Sequence, residues 1–586
     1  MASIPDVEII LAIDVGSVNT RASLFDVIDG RYRLVATNEV NSTVGPPLFD
    51  IGEGVRSVMD GIQGITGRRL VDESEALIFP STGFGSGVDL FVSSISAGPK
   101  VKTVLAGLMP GVSMTSARRL AESAYLDIVG EITLVDDRRT EEQIDLIVSQ
   151  RPDLILIVGG TDGGASDPLF QLIELIKLAV SLLSEGQRPR IVYSGNRSLG
   201  ALVVDRLSGV TTVNVTPNIR PSLEVEELAP ARIRLAETLF EIRSSRINGY
   251  EELKHWSSGS LIPTAEAFGR LIRYLSKIYD PDKGVLGIDL GSSQVTIAAA
   301  FEGDLNLSVN SGLGAGSSIK GLLDIGDLSK VLRWLPHEFS DSQLKDYICN
   351  KAIRPASIPV TLDELHIELA LARQIIREAI FRARQTWPDG KDTRSSLLLP
   401  PVEPILAGGA TLARVPRPAY SALTLLDALQ PTGVSTLVMD PYSLAPSLGA
   451  AAGPLPLATV QLLEAGVFVS IGTVVAPKVR ARTGRKVMSY QLEYEDGSPS
   501  KSGDINFGQI VVLPLAPAEY GRLSVNPERG VELGFGMLGR AGTLRVAGGT
   551  LGVIIDARGR PLILPRDIGQ SRELNHRWLW DIGALD

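Results

Sequence analysis

Apolar and polar positions fall in blocks that predict strands first. Ile9-Ile10-Leu11-Ala12-Ile13 is an unbroken apolar run rich in strand formers; it stops at Asp14, turns at Gly16 and returns as a second strand over 21–27. Asp29-Gly30 is a hairpin signal, and Thr43-Val44-Gly45-Pro46-Pro47 ends the meander. Residues 50–66 read as a helix and 75–80 as a short strand, followed by a Gly/Ser segment over 82–87. Further on, helices predicted over 113–123, 141–150 and 199–207 alternate with strands over 132–135, 153–158 and 191–193. The run over 153–158 is wholly apolar after its first residue, as in a fully buried parallel strand, and empties into Gly159-Gly160-Thr161-Asp162-Gly163-Gly164. Leu169, Leu172, Ile173, Ile176, Val180 and Leu183 then recur at helical spacing. This alternation predicts an α/β domain with a mostly parallel sheet, whose ligands lie beyond the carboxyl ends of the strands.

Residues 226–281 read as helical, with Pro230 at a helix start and Ile262-Pro263-Thr264 as a break. At 284 the opening pattern returns: an apolar run, Asp289, Gly291-Ser292-Ser293, and a second run containing Thr296, with Gly303-Asp304 where Asp29-Gly30 stood. One weak motif in matching context twice signals an internal duplication. Gly312-Leu-Gly314-Ala-Gly316 follows, then an amphipathic helix opened by Thr361 and stopped at Trp387-Pro388. Pro404-Ile-Leu-Ala-Gly408-Gly409-Ala410 predicts a strand entering a turn. Beyond Pro454 short β-like runs alternate with Gly, Pro and Asp turns, which predicts an all-β module with Trp578 and Trp580 packed back onto it.

Composition narrows the possibilities. A chain of 586 residues suggests three or four domains. The net charge of −10 argues against general nucleic-acid binding. Cys349 is the single cysteine, so no disulfide framework or cysteine metal site is expected. The four histidines, His255, His337, His366 and His576, show no metalloprotease spacing, and no zinc site is expected. No leader pattern opens the chain and no apolar run reaches membrane-spanning length, so the expectation is a cytoplasmic protein without a membrane span.

The small, hydroxyl-rich turns let backbone N–H groups approach an anion, while a strand-end carboxylate can hold hydrated Mg²⁺. No Gly-Lys-[Ser/Thr] loop is present, and Arg21 is the only basic residue in either hairpin. Two Asp-x-Gly-Ser hairpins followed by a strand and Gly-Gly turn resemble the actin-like ATPase superfamily. That resemblance implies a duplicated α/β fold, two ribonuclease H-like halves around a cleft, here with the C-terminal β module added. It divides the chain into 1–225, 226–454 and 455–586. Asp14, Gly16, Ser17, Asn19, Thr20 and Arg21 take the phosphate-1 place, and Asp289, Gly291, Ser292 and Ser293 the phosphate-2 place. Gly312 and Gly314 resemble the connecting motif, and Gly408, Gly409 and Ala410 the adenosine motif. The resemblance implies ATP or ADP with Mg²⁺ held between Asp14 and Asp289, and Asp162 is the candidate to position an attacking water.

Asp14-Val-Gly-Ser-Val-Asn-Thr-Arg21, Val158-Gly-Gly-Thr-Asp-Gly-Gly164, Ser194-Gly-Asn196, Asn214-Val-Thr-Pro217 and Asp440-Pro-Tyr-Ser-Leu-Ala are similar to the glutamate mutase L family. These are accessory proteins of cobalamin-dependent mutases, usually regarded as reactivating ATPases or chaperones, and unrelated to the mismatch-repair protein sharing the abbreviation. The second hairpin departs from the family pattern: Ser292 replaces a Gly, and Thr296 stands where a late Asp is expected. A side chain at 292 is expected to narrow the approach to the phosphates, and the missing acid to slow hydrolysis. The resulting reading is a Mg-ATP-binding, slowly hydrolysing chaperone or assembly factor with a protein client. A filament-forming actin-like scaffold and a small-molecule kinase are the alternatives.

Overall fold

The computed structural model describes residues 7–83, 85–164, 166–257, 261–385, 387, 398–534 and 539–585. Phe84 in the Gly/Ser segment, the helix stop at Pro388 and the first six residues lie outside the described residues.

The Asp14 run folds as foreseen. Strand Ile10–Val15 is buried along its whole length and pairs antiparallel with Asn19–Ile28, which pairs with Arg31–Asn41. On its other edge it runs parallel to Leu90–Ile95, which is followed by the short strand Ile262–Pro263. The second half repeats this order. Gly284–Leu290 pairs antiparallel with Val295–Phe301, that strand with Asp304–Asn310, and Val402–Gly408 and Gly433–Met439 continue in parallel. Each sheet thus reads 3-2-1-4-5 in its own strand order.

Between the sheets lie helix Thr264–Ile278 and helix Ala445–Ala451, which pack on each other. Phe268, Leu271 and Ile272 from the first helix and Leu444 and Leu448 from the second share one core with Ile10, Phe25, Val285 and Leu406. Alternation along the strands makes this possible, because each sheet presents one apolar face to the shared helices.

Two boundaries differ from the sequence expectation. The range 1–225 holds two sheets, since the first sheet is completed only by Ile262–Pro263. Inserted within it is an all-parallel unit ordered Leu126–Thr133, Val101–Gly107, Leu154–Ile157, Arg190–Tyr193, Val213–Val215. The strand–helix alternation read from the sequence belongs to this insertion.

The C-terminal segment is also not separate. Val469–Ala476, Gly552–Asp556 and Ile510–Leu513 extend the second half's sheet to eight strands. The remaining strands form a four-stranded antiparallel sheet, Lys501–Asn506, Lys486–Tyr494, Tyr520–Pro527, Gly542–Ala547. The chain then forms helix Ile568–Asp581, so this region is strand-rich but not all-β. On that helix Trp578 is buried and donates to the Gly508 carbonyl at 3.1 Å, whereas Trp580 remains 57% exposed. Residues two apart on a helix point apart, which is why only one of the pair packs inward. Among the described residues, no helix is long and apolar enough to cross a membrane.

Candidate functional site

The two hairpins face each other across a cavity of about 550 Å³ between the halves. Asp14 is 4% exposed, and its Oδ1 accepts hydrogen bonds from Ser94 Oγ at 2.6 Å and Thr264 Oγ1 at 2.7 Å. Asp289 lines the same cavity, and no described residue donates a hydrogen bond to its carboxylate. Burial first, then the facing Asp14 carboxylate, push Asp289 up to about 7, against the pull of Arg21 and with a further push from Asp440. Burial likewise pushes Asp440 up to about 6, although it accepts the Leu444 and Ala445 N–H groups at 2.9 and 2.7 Å.

The Asp14 and Asp289 carboxylates, facing one cavity from the two halves, are a hard, anionic donor set that would fit a hydrated divalent cation such as Mg²⁺. A raised carboxyl pKa means that the folded protein binds more protons than the unfolded chain between about pH 4 and 7. The cost of ionised Asp289 is therefore paid above pH 7 and relieved as pH falls. Asp289→Asn is expected to gain thermal stability over the parent at pH 8 without added metal. The gain should shrink toward pH 5.5, and a difference independent of pH would contradict it.

The turns have matching geometry. Gly16 N–H donates to the Asn19 carbonyl at 2.9 Å, and Gly291 N–H to the Gln294 carbonyl at 3.0 Å. Ser17, Asn19 and Arg21 line the cavity with Gly16, and Ser292 and Ser293 line it with Gly291. Thr20 does not: strand alternation turns it to the opposite face, where it is 1% exposed and lies against Gly54.

Arg21 is not free for a phosphate. Its Nε meets Glu39 Oε2 at 2.7 Å, and Nη1 stands 4.0 Å from Asp14 Oδ2. Burial alone would raise Glu39, but Arg21 and Arg414 outweigh it and hold the carboxyl below its usual range. Arg414 reaches Glu39 at 2.6 Å from the second half, so one carboxylate ties the halves together across the cleft.

Ser292 lines the cavity and also anchors the loop behind it. Its Oγ accepts the Ser317 N–H at 3.0 Å, and its carbonyl accepts Gly316 and Ser318 N–H at 3.0 and 3.2 Å. Gly314 and Gly316 thus seat a loop against the hairpin, and neither Gly312 nor Gly314 belongs to the cavity lining. A Cβ at Gly314 would stand 2.2 Å from the Ser292 carbonyl oxygen. Gly314→Ala is expected to lower stability by about 1–3 kcal/mol, measured by urea unfolding.

Gly409 and Ala410 border the cavity; Gly408 sits beside Asp289 and Asp440, about where a Cβ would touch both at 3.7 and 3.8 Å. Asp162 lies elsewhere, at the carboxyl edge of the insertion's sheet. Its Oδ1 accepts Asn218 Nδ2 and Arg197 N–H, both at 2.9 Å, so the 159–164, 194–196 and 214–217 motifs meet in one knot outside this cavity. Asp162, the sequence candidate for positioning an attacking water, thus sits on the insertion's sheet rather than on that of Asp14.

Ser94, Thr264, Glu39, Lys351, Arg414 and Asp440 were not foreseen at the site. Thr264 stood in the recognised helix break, and Asp440 opened a recognised motif, so both carried a signal. Lys351 is paired with Glu368 inside the cavity wall, and only the fold reveals it. Pro355-Ala-Ser-Ile358-Pro-Val360-Thr-Leu362 forms an apolar wall at the mouth, with Ile358 and Val360 exposed.

Two hairpin-led halves in equivalent strand order, facing across a carboxylate-lined cleft, define an actin-like fold. The family model for "MutL protein" matches residues 10–467, and the chain belongs to that family, the one named for glutamate mutase L. Protein MutL of Clostridium tetanomorphum is 25% identical over 217 residues, covering 36% of this chain and 44% of the relative. The match thus spans less than half of that relative's length.

Among solved structures, nucleotide-free acetone carboxylase, from work on ATP-dependent acetone carboxylation, aligns with a TM-score of 0.36 and 12% identity over 85% of this chain and 81% of that one. A glycerol dehydratase reactivase aligns with a TM-score of 0.28 and 12% identity over 72% and 95%. The ethanolamine utilization protein EutJ from Carboxydothermus hydrogenoformans gives 0.28 and 9% over 76% and 89%. The fold assignment rests on the strand order and the paired hairpins.

Proposed function

We propose that the cleft binds Mg-ATP or Mg-ADP and that nucleotide occupancy gates the action of this protein on a protein client. The carrying observation is the pair Asp14 and Asp289 at the ends of equivalent strands, one in each half, facing one cavity. Asp14 and Asp289 would hold hydrated Mg²⁺, which supplies charge neutralisation for the phosphates in a protein of net charge −10. The Gly16–Asn19 and Gly291–Gln294 turns offer backbone N–H groups and hydroxyls to phosphate oxygens. The apolar wall at Ile358 and Val360 suits a nucleobase.

Slow turnover follows from the same residues. Thr296, opposite Asp289 in the ladder, carries no charge, Arg21 is held by Glu39, and Glu368 is held by Lys351. A client rather than a small product is favoured by membership of a family named for a mutase accessory protein; a cobalamin-dependent mutase is the proposed client.

Calorimetry of the purified full chain with ATP and ADP, with Mg²⁺ and with chelator, tests the reading. Mg²⁺-dependent binding of both nucleotides with turnover far slower than typical enzyme rates of roughly 10 s⁻¹ is expected. Absence of nucleotide binding would overturn it.

A further inference from the structure

A second cavity, of about 510 Å³, adjoins the nucleotide cleft and shares Ser96, Thr264 and Gln294 with it. It lies where three units meet: the insertion at Tyr125, the helices Ala229–Ser244 and Tyr250–Trp256, and both hairpin-led halves. Its volume is that of a small-molecule site.

Its polar lining is unsatisfied. Arg232 Nε and Gln294 Oε1 are buried, line this cavity and lack a hydrogen-bond partner, and Arg243 Nε and the Tyr250 hydroxyl, buried in the same lining, have only each other to pair with. Arg243, Tyr250 and Gln294 are 3%, 1% and 6% exposed. Buried polar groups in folded proteins are ordinarily paired, so several at one cavity point to something that pairs them.

The charge balance has a sign as well. Neither Arg232 nor Arg243 has an ion pair among the described residues; Arg243 donates to the Tyr125 carbonyl at 3.0 Å and neighbours the Tyr250 hydroxyl. The carboxylates nearest Arg232 are engaged elsewhere, Glu226 by Arg119 and Arg220 and Glu266 by Arg270. Arg243 is buried and Arg232 half-buried; Glu237, Glu241, Glu251 and Glu266 also line the cavity, but none of them forms an ion pair with either guanidinium, and an oxoanion would satisfy the forked donors of both. Leu239, Phe240 and Leu261 supply an apolar wall, and Gln294 Oε1 calls for a ligand N–H or O–H.

We propose that this cavity binds a small organic anion. A carboxylate or phosphate end meets Arg232 and Arg243, an apolar body lies against Leu239 and Phe240, and a hydroxyl or amine donates to Gln294. Because Gln294 belongs to the second phosphate hairpin, occupancy is felt at the nucleotide cleft. Binding to the cavity does not depend on the nucleotide reading.

The test is ligand-induced thermal stabilisation and calorimetry of the full chain. The probes are three- to six-carbon hydroxy and amino carboxylic acids, their phosphate monoesters, inorganic phosphate, and chloride at matched ionic strength. A carboxylic acid or a phosphate monoester is expected to bind, and which series binds identifies the anionic end. Arg232→Gln and Gln294→Leu should each weaken that ligand by about tenfold or more while retaining the parent's unfolding temperature without ligand. Binding by no organic probe, equal binding of inorganic phosphate and the organic probes, or undiminished binding in both variants would overturn the proposal.

A different observation carries a second assignment. His337, Asp363 and His366 bring one ligand atom each within 4.8 Å of one another. His576 approaches from the C-terminal helix, its ring 6.2 Å from that of His337. His366 is 4% exposed, and neither of its ring nitrogens has a hydrogen-bond partner. Spacing along the chain gave no sign of this cluster, because its members come from three separate segments, with only Asp363 and His366 three apart on one helix.

We infer a divalent transition-metal site of mixed imidazole and carboxylate ligands, Zn²⁺ being the fitting ion, that ties helix Leu362–Arg384 to the His337 loop. The full chain, stripped and reloaded, is expected to retain one Zn²⁺ through gel filtration and, with Co²⁺, to show visible ligand-field bands. His337→Ala, at an exposed position, and His366→Asn should both abolish retention and bands. No stoichiometric retention, or retention unchanged in His337→Ala, would overturn the assignment.

Discussion

Asp14→Asn is expected to weaken Mg-ATP binding by about 10- to 100-fold, the size of a lost charge-assisted contact at a metal site, while metal-free ATP binding changes little. The substitution keeps an oxygen that can accept from Ser94 and Thr264, so the two buried hydroxyls remain paired and the local fold is preserved. What it removes is the negative charge facing Asp289. It also places amide hydrogens toward a would-be cation, which repels it. Titrations of ATP with Mg²⁺ and with chelator measure the difference. Mg²⁺-dependent affinity equal to the parent's would remove Asp14 from the metal site.

Arg558→Ala is expected to destabilise the protein by about 3–5 kcal/mol, the range for breaking one partner out of a buried ion network. Arg558 is fully buried, 2.7 Å from Asp427 and 2.8 Å from Asp556, with its guanidinium over the Trp578 ring. Asp427 also meets Arg373 on the long helix, at 2.7 Å, and Asp556 meets Arg560 at 2.6 Å. The network therefore joins the C-terminal strands to the second half's helices, and loss of Arg558 leaves carboxylates short of a partner in the core.

The pH dependence has a definite sign. Burial alone would raise the Asp556 carboxyl, but Arg558 and Arg560 outweigh it and hold it far below its usual range. A depressed carboxyl pKa contributes stability that is fully present above the unfolded value of roughly 3.9 and is lost as pH falls below it. Urea unfolding at pH 7 should show the full deficit of Arg558→Ala, and the gap to the parent should narrow toward pH 3. A deficit under 1 kcal/mol at pH 7, the size of an exposed pair, would show that the network does not hold the module.

Legibility in the sequence followed the range of the forces involved. The Asp14 and Asp289 hairpins, their turns and their duplication were readable because each is local: apolar strand runs, a carboxylate at the strand end, a glycine at the turn. That Thr20 turns away from the cavity was not legible because proximity in sequence does not show face, and alternation sends it to the Gly54 side. The distance of Asp162 from the Asp14 cavity was not legible because nothing local marks residues 101–215 as an insertion whose sheet is separate from that of Asp14. Glu39 and Arg414, far apart in the chain, meet only because the two halves close over the cleft.

By itself the sequence determined the α/β class, the two equivalent hairpins with their carboxylates, and the strand-rich character of the C-terminal segment, because side-chain periodicity and turn chemistry act over a few residues. Tertiary structure alone decided that the C-terminal strands extend the second sheet and that burial, with Asp14 facing it, pushes Asp289 up to about 7. It alone also gathered Arg232, Arg243, Tyr250 and Gln294 around one cavity. Electrostatic coupling and burial depend on distances between segments far apart in the chain, and those distances exist only once the sheets have packed on their shared helices.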